Sequence, residues 1–245
     1  MRLHFMGCAI DNLSMDETLD RIAEFVRDGR PHQHVVVNVD KLVKAARQPA
    51  LRDIINRCHL VNVDGMPVVW AGRLLGLPIK ERVAGVDLFE RLLGHAARQG
   101  WGVYFLGARP EVVAWVAELA PRRFPGLKVA GWRDGYWRPG QEAEVVAAIR
   151  AAAPQVLFVA ISSPKKEEFL GAHQAAMGVP FAMGVGGTFD VFVGAVRRAP
   201  LWMQRSGLEW FYRFLQEPRR MFRRYFVEDA YFFWLLLREL VYARR

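Results

Sequence analysis

Residues 102–187 contain GVYFLGA (102–108), PEVVAWVAELAPRRF (110–124), LKVAGW (127–132), QEAEVVAAIRAAA (141–153), QVLFVAIS (155–162), KKEEFLGAHQAAM (165–177) and VPFAMGVGG (179–187). Short, continuously apolar runs alternate here with longer stretches whose apolar residues recur at helical spacing. A strand that is apolar on both faces has to be covered on both faces, and a helix between successive strands makes them parallel. The pattern predicts an α/β chain with a parallel sheet and helices on both sides. HVVVNV (34–39) and HLVNV (59–63) add two short buried strands upstream. Ser14 to Glu17 reads as a capping box before Leu19, Ile22, Ala23 and Val26, and Asp87 to Glu90 as another before LLGHAA. The echo VNVD at 37–40 and 61–64 has differing flanks and reads as two similar strand ends, not as an internal repeat.

At 245 residues and 52% hydrophobic composition, the chain can bury one large core or two small ones. Its formal charge of +9 demands an anionic partner. From Arg197 onward there are eleven Arg and no Lys against five Asp plus Glu, together with thirteen of the thirty aromatic residues. We therefore divide the chain into an α/β domain (1–196) and a basic, aromatic helical appendage (197–245). A planar guanidinium binds two phosphate oxygens at once, and aromatic rings suit the bilayer interface. No nucleic-acid module precedes the basic tail, so membrane phosphate or lipid diphosphate is the expected partner and nucleic acid is not.

Cys8 and Cys58 are the only cysteines, and no Cys or His stands at metal-ligand spacing, which argues against a disulfide scaffold or a zinc site and points to a reducing cytoplasm. The N-terminus makes a poor signal peptide because His4, Gly7 and Asp11 break its apolar run. AYFFWLLL (230–237) falls far short of the roughly 20 residues a spanning helix needs. The expectation is a chain that lies on a membrane without crossing it.

Ligands of parallel α/β sheets gather where strands end in loops, at Asn38, Asp64, Gly107, Gly131 to Tyr136, Ser162 to Glu167 and Gly184 to Asp190. Asp64, beside Gly65 and ahead of a helical run, suits either a general base or a plain helix N-cap. Gly184, Gly186 and Gly187 end the last strand, where backbone N–H groups can approach a diphosphate or simply form a tight turn. Phe189 breaks the G-x-G-x-x-G spacing, and neither a nicotinamide fingerprint nor a Walker loop is present. Asp190 and Tyr136 suit a nucleoside held by hydrogen bonding and stacking, although Tyr136 also suits ordinary packing. No D-x-D occurs; were a nucleoside diphosphate to leave here, its charge would fall to Arg82, to Lys165 or Lys166 and to backbone N–H groups, with a solvated first helical turn as the plainer account of the lysines. In the tail, Leu208, Phe211, Tyr212 and Leu215 form one apolar stripe, and Met221, Phe222, Tyr225 and Phe226 form another after Pro218. Arg213, Arg220, Arg223 and Arg224 lie largely off both, as in interfacial helices; a helix pair packed on the domain is the alternative.

Seven ordered blocks, NVDGMPVVW (62–70), ERVAGVDLFERL (81–92), GVYFLGARPEV (102–112), FPGLKVAGWRDGYW (124–137), SPKKEEF (163–169), GVGGTFDVFVG (184–194) and RRAPLWMQRSGLEWFYRFLQEPRRMFRRY (197–225), resemble the WecG/TagA/CpsF family of bacterial glycosyltransferases. The resemblance implies a Rossmann-like sheet with a membrane-facing appendage, peripheral on the cytoplasmic face of the cell membrane. It also implies an inverting, metal-independent enzyme without a cofactor, moving a sugar from a UDP donor to a polyprenyl-diphosphate-linked acceptor sugar in envelope or exported polysaccharide synthesis. N-acetylmannosamine or its uronic acid is the first candidate donor sugar and glucose the rival. A homo-oligomer is compatible with it. By motif, Asp64 is the general base, Asn38 and Arg82 line the active site, and Tyr136 and Asp190 hold the uridine. Lys166, Gly186 and Gly187 lie on the donor side, and Arg213, Arg220 and Arg223 reach the diphosphates. Two positions depart from the pattern: Val36 stands where some members carry Thr, and Lys166 where several carry Gln, which bears on the donor sugar. Two other classes share parts of the pattern: a nucleotide-sugar-modifying oxidoreductase, which should carry the missing glycine fingerprint, and a non-catalytic membrane or lipid-diphosphate binding module, which needs only the tail.

Overall fold

The computed structural model describes residues 1–242, with backbone only at Arg220, Val227 and Tyr242. Eight strands are present among them: β1 (Arg2–Phe5), β2 (Cys8–Asp11), β3 (His32–Val37), β4 (Leu60–Val63), β5 (Gly102–Gly107), β6 (Lys128–Arg133), β7 (Val156–Ala160) and β8 (Phe181–Gly184). The last six form one parallel sheet in the order β4-β3-β8-β7-β5-β6, as the apolar runs predict. The N-terminal segment adds an antiparallel hairpin, β1 with β2, turned at Met6 and Gly7, both with positive φ.

Alternate strand residues feed opposite faces of the sheet. Val103, Phe105 and Phe158 join a core with the helices Met15–Asp28, Gly85–Gln99, Pro110–Arg123 and Thr188–Phe192. Tyr104, Leu106 and Leu157 join another with Glu142–Ala152 and Lys165–Met177. A third core, under β3 and β4, takes the hairpin, the helices Val39–Arg47 and Pro49–Arg57, and Phe232 and Leu235 from the end of the chain. The Ser14 capping box forms as expected, with Glu17 N–H donating to Ser14 Oγ and Ser14 N–H donating to the Glu17 carboxylate. The one expected at Asp87 does not. That helix begins two residues earlier, at Gly85, and the Asp87 carboxylate is drawn instead to Arg198, 111 residues along the chain. Likewise β6 runs on through Gly131 to Arg133, so the loop begins later than the glycine suggested.

The two copies of VNVD lie on neighbouring strands, but out of step. Val37 pairs with Val63, and Asp64 N–H donates to the Val37 carbonyl at 2.8 Å, so Asn38 and Asp64 emerge side by side.

After Arg197 the chain forms short helices at Leu201–Arg205, Glu209–Gln216 and Pro218–Phe222, a π-helical turn at Arg223–Glu228 and a last helix from Tyr231 to Tyr242. Both tail helices flank Glu217 and Pro218 as the stripes predict. Phe232 and Leu235 fix the end of the tail to the third core and Met203 and Met221 are buried too, whereas Phe211, Leu215, Phe222, Phe226, Phe233, Trp234 and Leu237 remain exposed. Gly207 makes the join close: its φ of +76° is one L side chains avoid, and a Cβ there would stand 2.9 Å from Met66 and 3.0 Å from Trp70. Among the described residues, no helix is long and apolar enough to cross a membrane.

Beneath the carboxyl edge of the sheet, Lys41 and Lys166 both pair with Glu167, at 2.8 and 2.9 Å, with 4%, 6% and 2% of these residues exposed. This corrects the solvated-turn account of Lys166. Its stem runs over Gly184, where a Cβ would come within 3.0 Å of its Cδ and Cε, so the bare strand end is what admits the lysine; Lys165 alone is exposed. Burial pushes the Lys166 ammonium down to about 8, and the charge of Lys41 adds to the effect. Burial also pushes the Glu167 carboxyl up, but Lys41 and Lys166 outweigh it and hold the group at about 2. Removing one partner of a buried pair costs about 3–5 kcal/mol, because the charge left behind has no water to replace it. Glu167→Gln should lower folding stability by that order in urea denaturation, and an unmoved midpoint would show that water reaches the lysines.

Candidate active site

The sheet places the expected residues along one edge. Asp64 follows β4, Asn38 follows β3, Gly186 and Gly187 follow β8, Lys166 opens the helix after β7, and Tyr136 lies in the loop after β6. From β4 to β5 is four strand spacings, about 19 Å at about 4.8 Å each. The chain leaves β5 toward β6 and leaves neighbouring β7 toward β8, so the crevice between β5 and β7 is a topological switch point, where parallel sheets bind ligands.

At this switch point Gly107 has φ +106°, and a Cβ would lie 2.7 Å from the Ala160 backbone. Gly135 is equally tight, its N–H donating to the Ala108 carbonyl at 3.0 Å. This pins the Asp134–Gly135–Tyr136 turn over the crevice and leaves the Tyr136 ring 72% exposed, so ordinary packing does not account for it. Asp190 crosses from the Thr188–Phe192 helix to meet Arg109 at 3.4 Å. Gly186 and Gly187 face open space on their Cβ sides.

At the β4 end, the cap falls on Asn38: its Oδ1 accepts the Lys41 N–H at 3.0 Å and closes the Val39–Arg47 helix. Asp64 does not cap the Met66–Leu74 helix that follows it, because Gly65 takes that position with φ +115°. Its carboxylate is turned instead toward the helix Gly85–Gln99, accepting the Gly85 N–H at 3.4 Å. Burial pushes the Asp64 carboxyl above the usual carboxylate range; Arg82, the Gly85 N–H and Arg213 pull it back, and the charge of Glu209 pushes it up. Asp64 as a residue is half-buried. Val36 packs beside it, near Gly85, as an apolar wall.

Arg82 is not free-standing. It pairs with Glu209 of the appendage, which also accepts Arg198 Nε at 3.2 Å, and Arg198 Nη2 donates to Asp87 at 2.8 Å. No site role for Glu209, Arg198 or Arg109 was legible in the sequence, and Asp87 suited only a helix cap. The one local signal was the spacing of Glu209 and Arg213, one helical turn apart.

The structure thus brings Asn38, Asp64, Arg82 and Arg213 together at one end and sets Tyr136 and Asp190 at the other. Lys166 lies below, engaged with Glu167. Arg223 is exposed and pairs with Glu228 at 3.3 Å, on a cleft of about 600 Å³ lined also by Asp40, Lys44, Arg219, Met221 and Arg224. The Arg220 side chain lies outside the described residues. Among the described residues, no three His, Cys, Asp or Glu side chains converge to hold a metal ion.

Residues 3–245 match the model of the glycosyl transferase WecG/TagA/CpsF family. A relative from Bacillus spizizenii, the N-acetylglucosaminyldiphosphoundecaprenol N-acetyl-beta-D-mannosaminyltransferase, is 37% identical over 186 residues, covering 76% of this chain and 72% of its own length. With a match over nearly its whole length and a relative of that similarity, the chain belongs to the WecG/TagA/CpsF family of glycosyltransferases.

Proposed function

We propose that this enzyme transfers a hexosyl group from a UDP donor to a sugar carried on a polyprenyl diphosphate, with inversion at the anomeric carbon and without a metal ion. The observation that carries the mechanism is Asp64: a carboxylate at a strand end, released from capping duty, raised in basicity by burial and set beside Arg82. The acceptor hydroxyl oxygen attacks the anomeric carbon while Asp64 takes its proton. The bond from that carbon to the β-phosphate oxygen breaks with its electron pair going to UDP. A single displacement of this kind inverts the centre. Arg82 and Arg213 offset the charge growing on UDP, work that preorganised donors do better than water. Tyr136 and Asp190 suit the uridine at the switch point, with the turn at Gly186 and Gly187 between the two ends.

N-acetylmannosamine is the leading donor sugar because the Bacillus relative is named for its transfer; its uronic acid and glucose are the alternatives. The appendage is read as the membrane-facing unit. Its inward residues are few, while Phe211, Leu215, Phe222, Phe226, Phe233 and Trp234 project among arginines, which suits the inner face of an anionic membrane.

A screen of UDP-sugars against a short-chain polyprenyl-diphosphate sugar, read by mass, tests reaction and donor together. Asp64→Asn should keep donor binding and lose roughly 10²-fold or more in turnover, as general-base catalysis contributes about that much. Near-normal turnover would remove Asp64 from the role. Because Asp64 works deprotonated and its pKa is raised, activity should fall with decreasing pH at a value above that of an ordinary carboxylate. Transfer should persist in EDTA; complete loss, restored by magnesium or manganese, would refute the metal-independent reading. Replacing Arg213, Arg220 and Arg223 with Ala should weaken binding to anionic vesicles by on the order of 1 kcal/mol per residue at low salt, less as salt rises. Binding and turnover equal to wild type in that variant, or in a chain truncated before Leu208, would make the appendage merely structural.

A further inference from the structure

Five charged groups of alternating sign form a chain around the base. Arg82 stands beside Asp64, Glu209 binds Arg82, Arg198 binds Glu209, and Asp87 binds Arg198. Asp87 lies in the first turn of the helix whose Gly85 N–H reaches Asp64, so the chain closes on itself. Asp64, Arg82 and Asp87 come from the body, while Arg198 and Glu209 come from the appendage, Glu209 alone from one of its helices. Its position is fixed from several sides: Gly207 presses on Met66 and Trp70 two residues earlier, and the carboxylate is shared between two guanidinium groups. Among the described residues it engages one nitrogen of Arg82, leaving the other guanidinium donors free for a substrate oxygen.

We propose that Glu209 is a positioning residue of the transfer reaction: the appendage supplies it to hold Arg82 at the donor diphosphate and away from a closed pair with Asp64. The inference rests on Asp64 being the base. The charged groups facing Asp64 are Arg82 from the preceding loop and Glu209 and Arg213 from the appendage helix, with the Gly85 N–H as a fourth contact. Without the negative charge of Glu209, both guanidinium groups act on Asp64 unopposed and Arg82 is free to close on it. Both effects stabilise the carboxylate and make it a weaker base.

The test uses the full chain, a UDP-sugar found active in the screen and the lipid-linked acceptor, with the pH profile of kcat measured for each variant. Glu209→Gln should lower kcat about tenfold and displace the acidic limb toward lower pH by roughly half a unit, a size ordinary for loss of one neighbouring charge. Glu209→Asp, which retains the charge on a shorter arm, should leave the limb in place and recover part of kcat. An unmoved limb and unchanged kcat in Glu209→Gln, with Asp64→Asn inactive, would overturn this inference alone. An active Asp64→Asn enzyme would instead overturn the base assignment beneath it. Loss of the cooperative melt in both Glu209 variants would make the ring a structural clamp and reject the positioning role.

Discussion

The ion pair between Arg82 and Glu209 is the contact on which the architecture of the site turns. It joins a loop of the α/β body to the appendage next to Asp64, the proposed base. An isolated surface ion pair contributes little to stability, but this one is partly buried, shares its carboxylate with Arg198 and continues to Asp87. A network of that kind fixes geometry more than it adds free energy. Apolar adhesion comes from Phe232 and Leu235, which pack into the third core.

The sheet was legible because β5 and β7 are apolar on every residue, a pattern that only a strand covered on both sides sustains. The edge carrying Asn38, Asp64 and Tyr136 was legible for the same reason, since strand ends in such a sheet are where ligands collect. Three things were hidden. The Asp87 carboxylate had a local explanation as a cap and a distant one in Arg198, and the charged partner won. Lys166 looked solvated because a sequence does not show that Gly184 leaves room for its stem or that Lys41 arrives from another helix to share Glu167. Glu209 sat in the first turn of an amphipathic helix, where an acid is expected in any case.

The appendage also shows why amphipathic stripes are an incomplete guide. Leu208, Phe211, Tyr212 and Leu215 behave as one largely unburied face, but in the second stripe Met221 is buried while Phe222 and Phe226 point outward. The last helix repeats the division, with Phe232 and Leu235 inside and Phe233, Trp234 and Leu237 outside. What looked like a uniform apolar segment is two surfaces with different partners.

The strand order carries a consequence for how the protein comes to be made. β8 is the last strand in the chain, yet it sits between β3 and β7 near the middle of the sheet. Until residues 181–184 leave the ribosome, β3 with β4 and β5 with β6 and β7 are separate fragments, each with an open backbone edge and no partner to join them. Non-local parallel pairing is slow, and unpaired edges invite association with other chains. Over the stretch of synthesis between β6 and β8 the nascent protein therefore carries two half-sheets awaiting one four-residue strand.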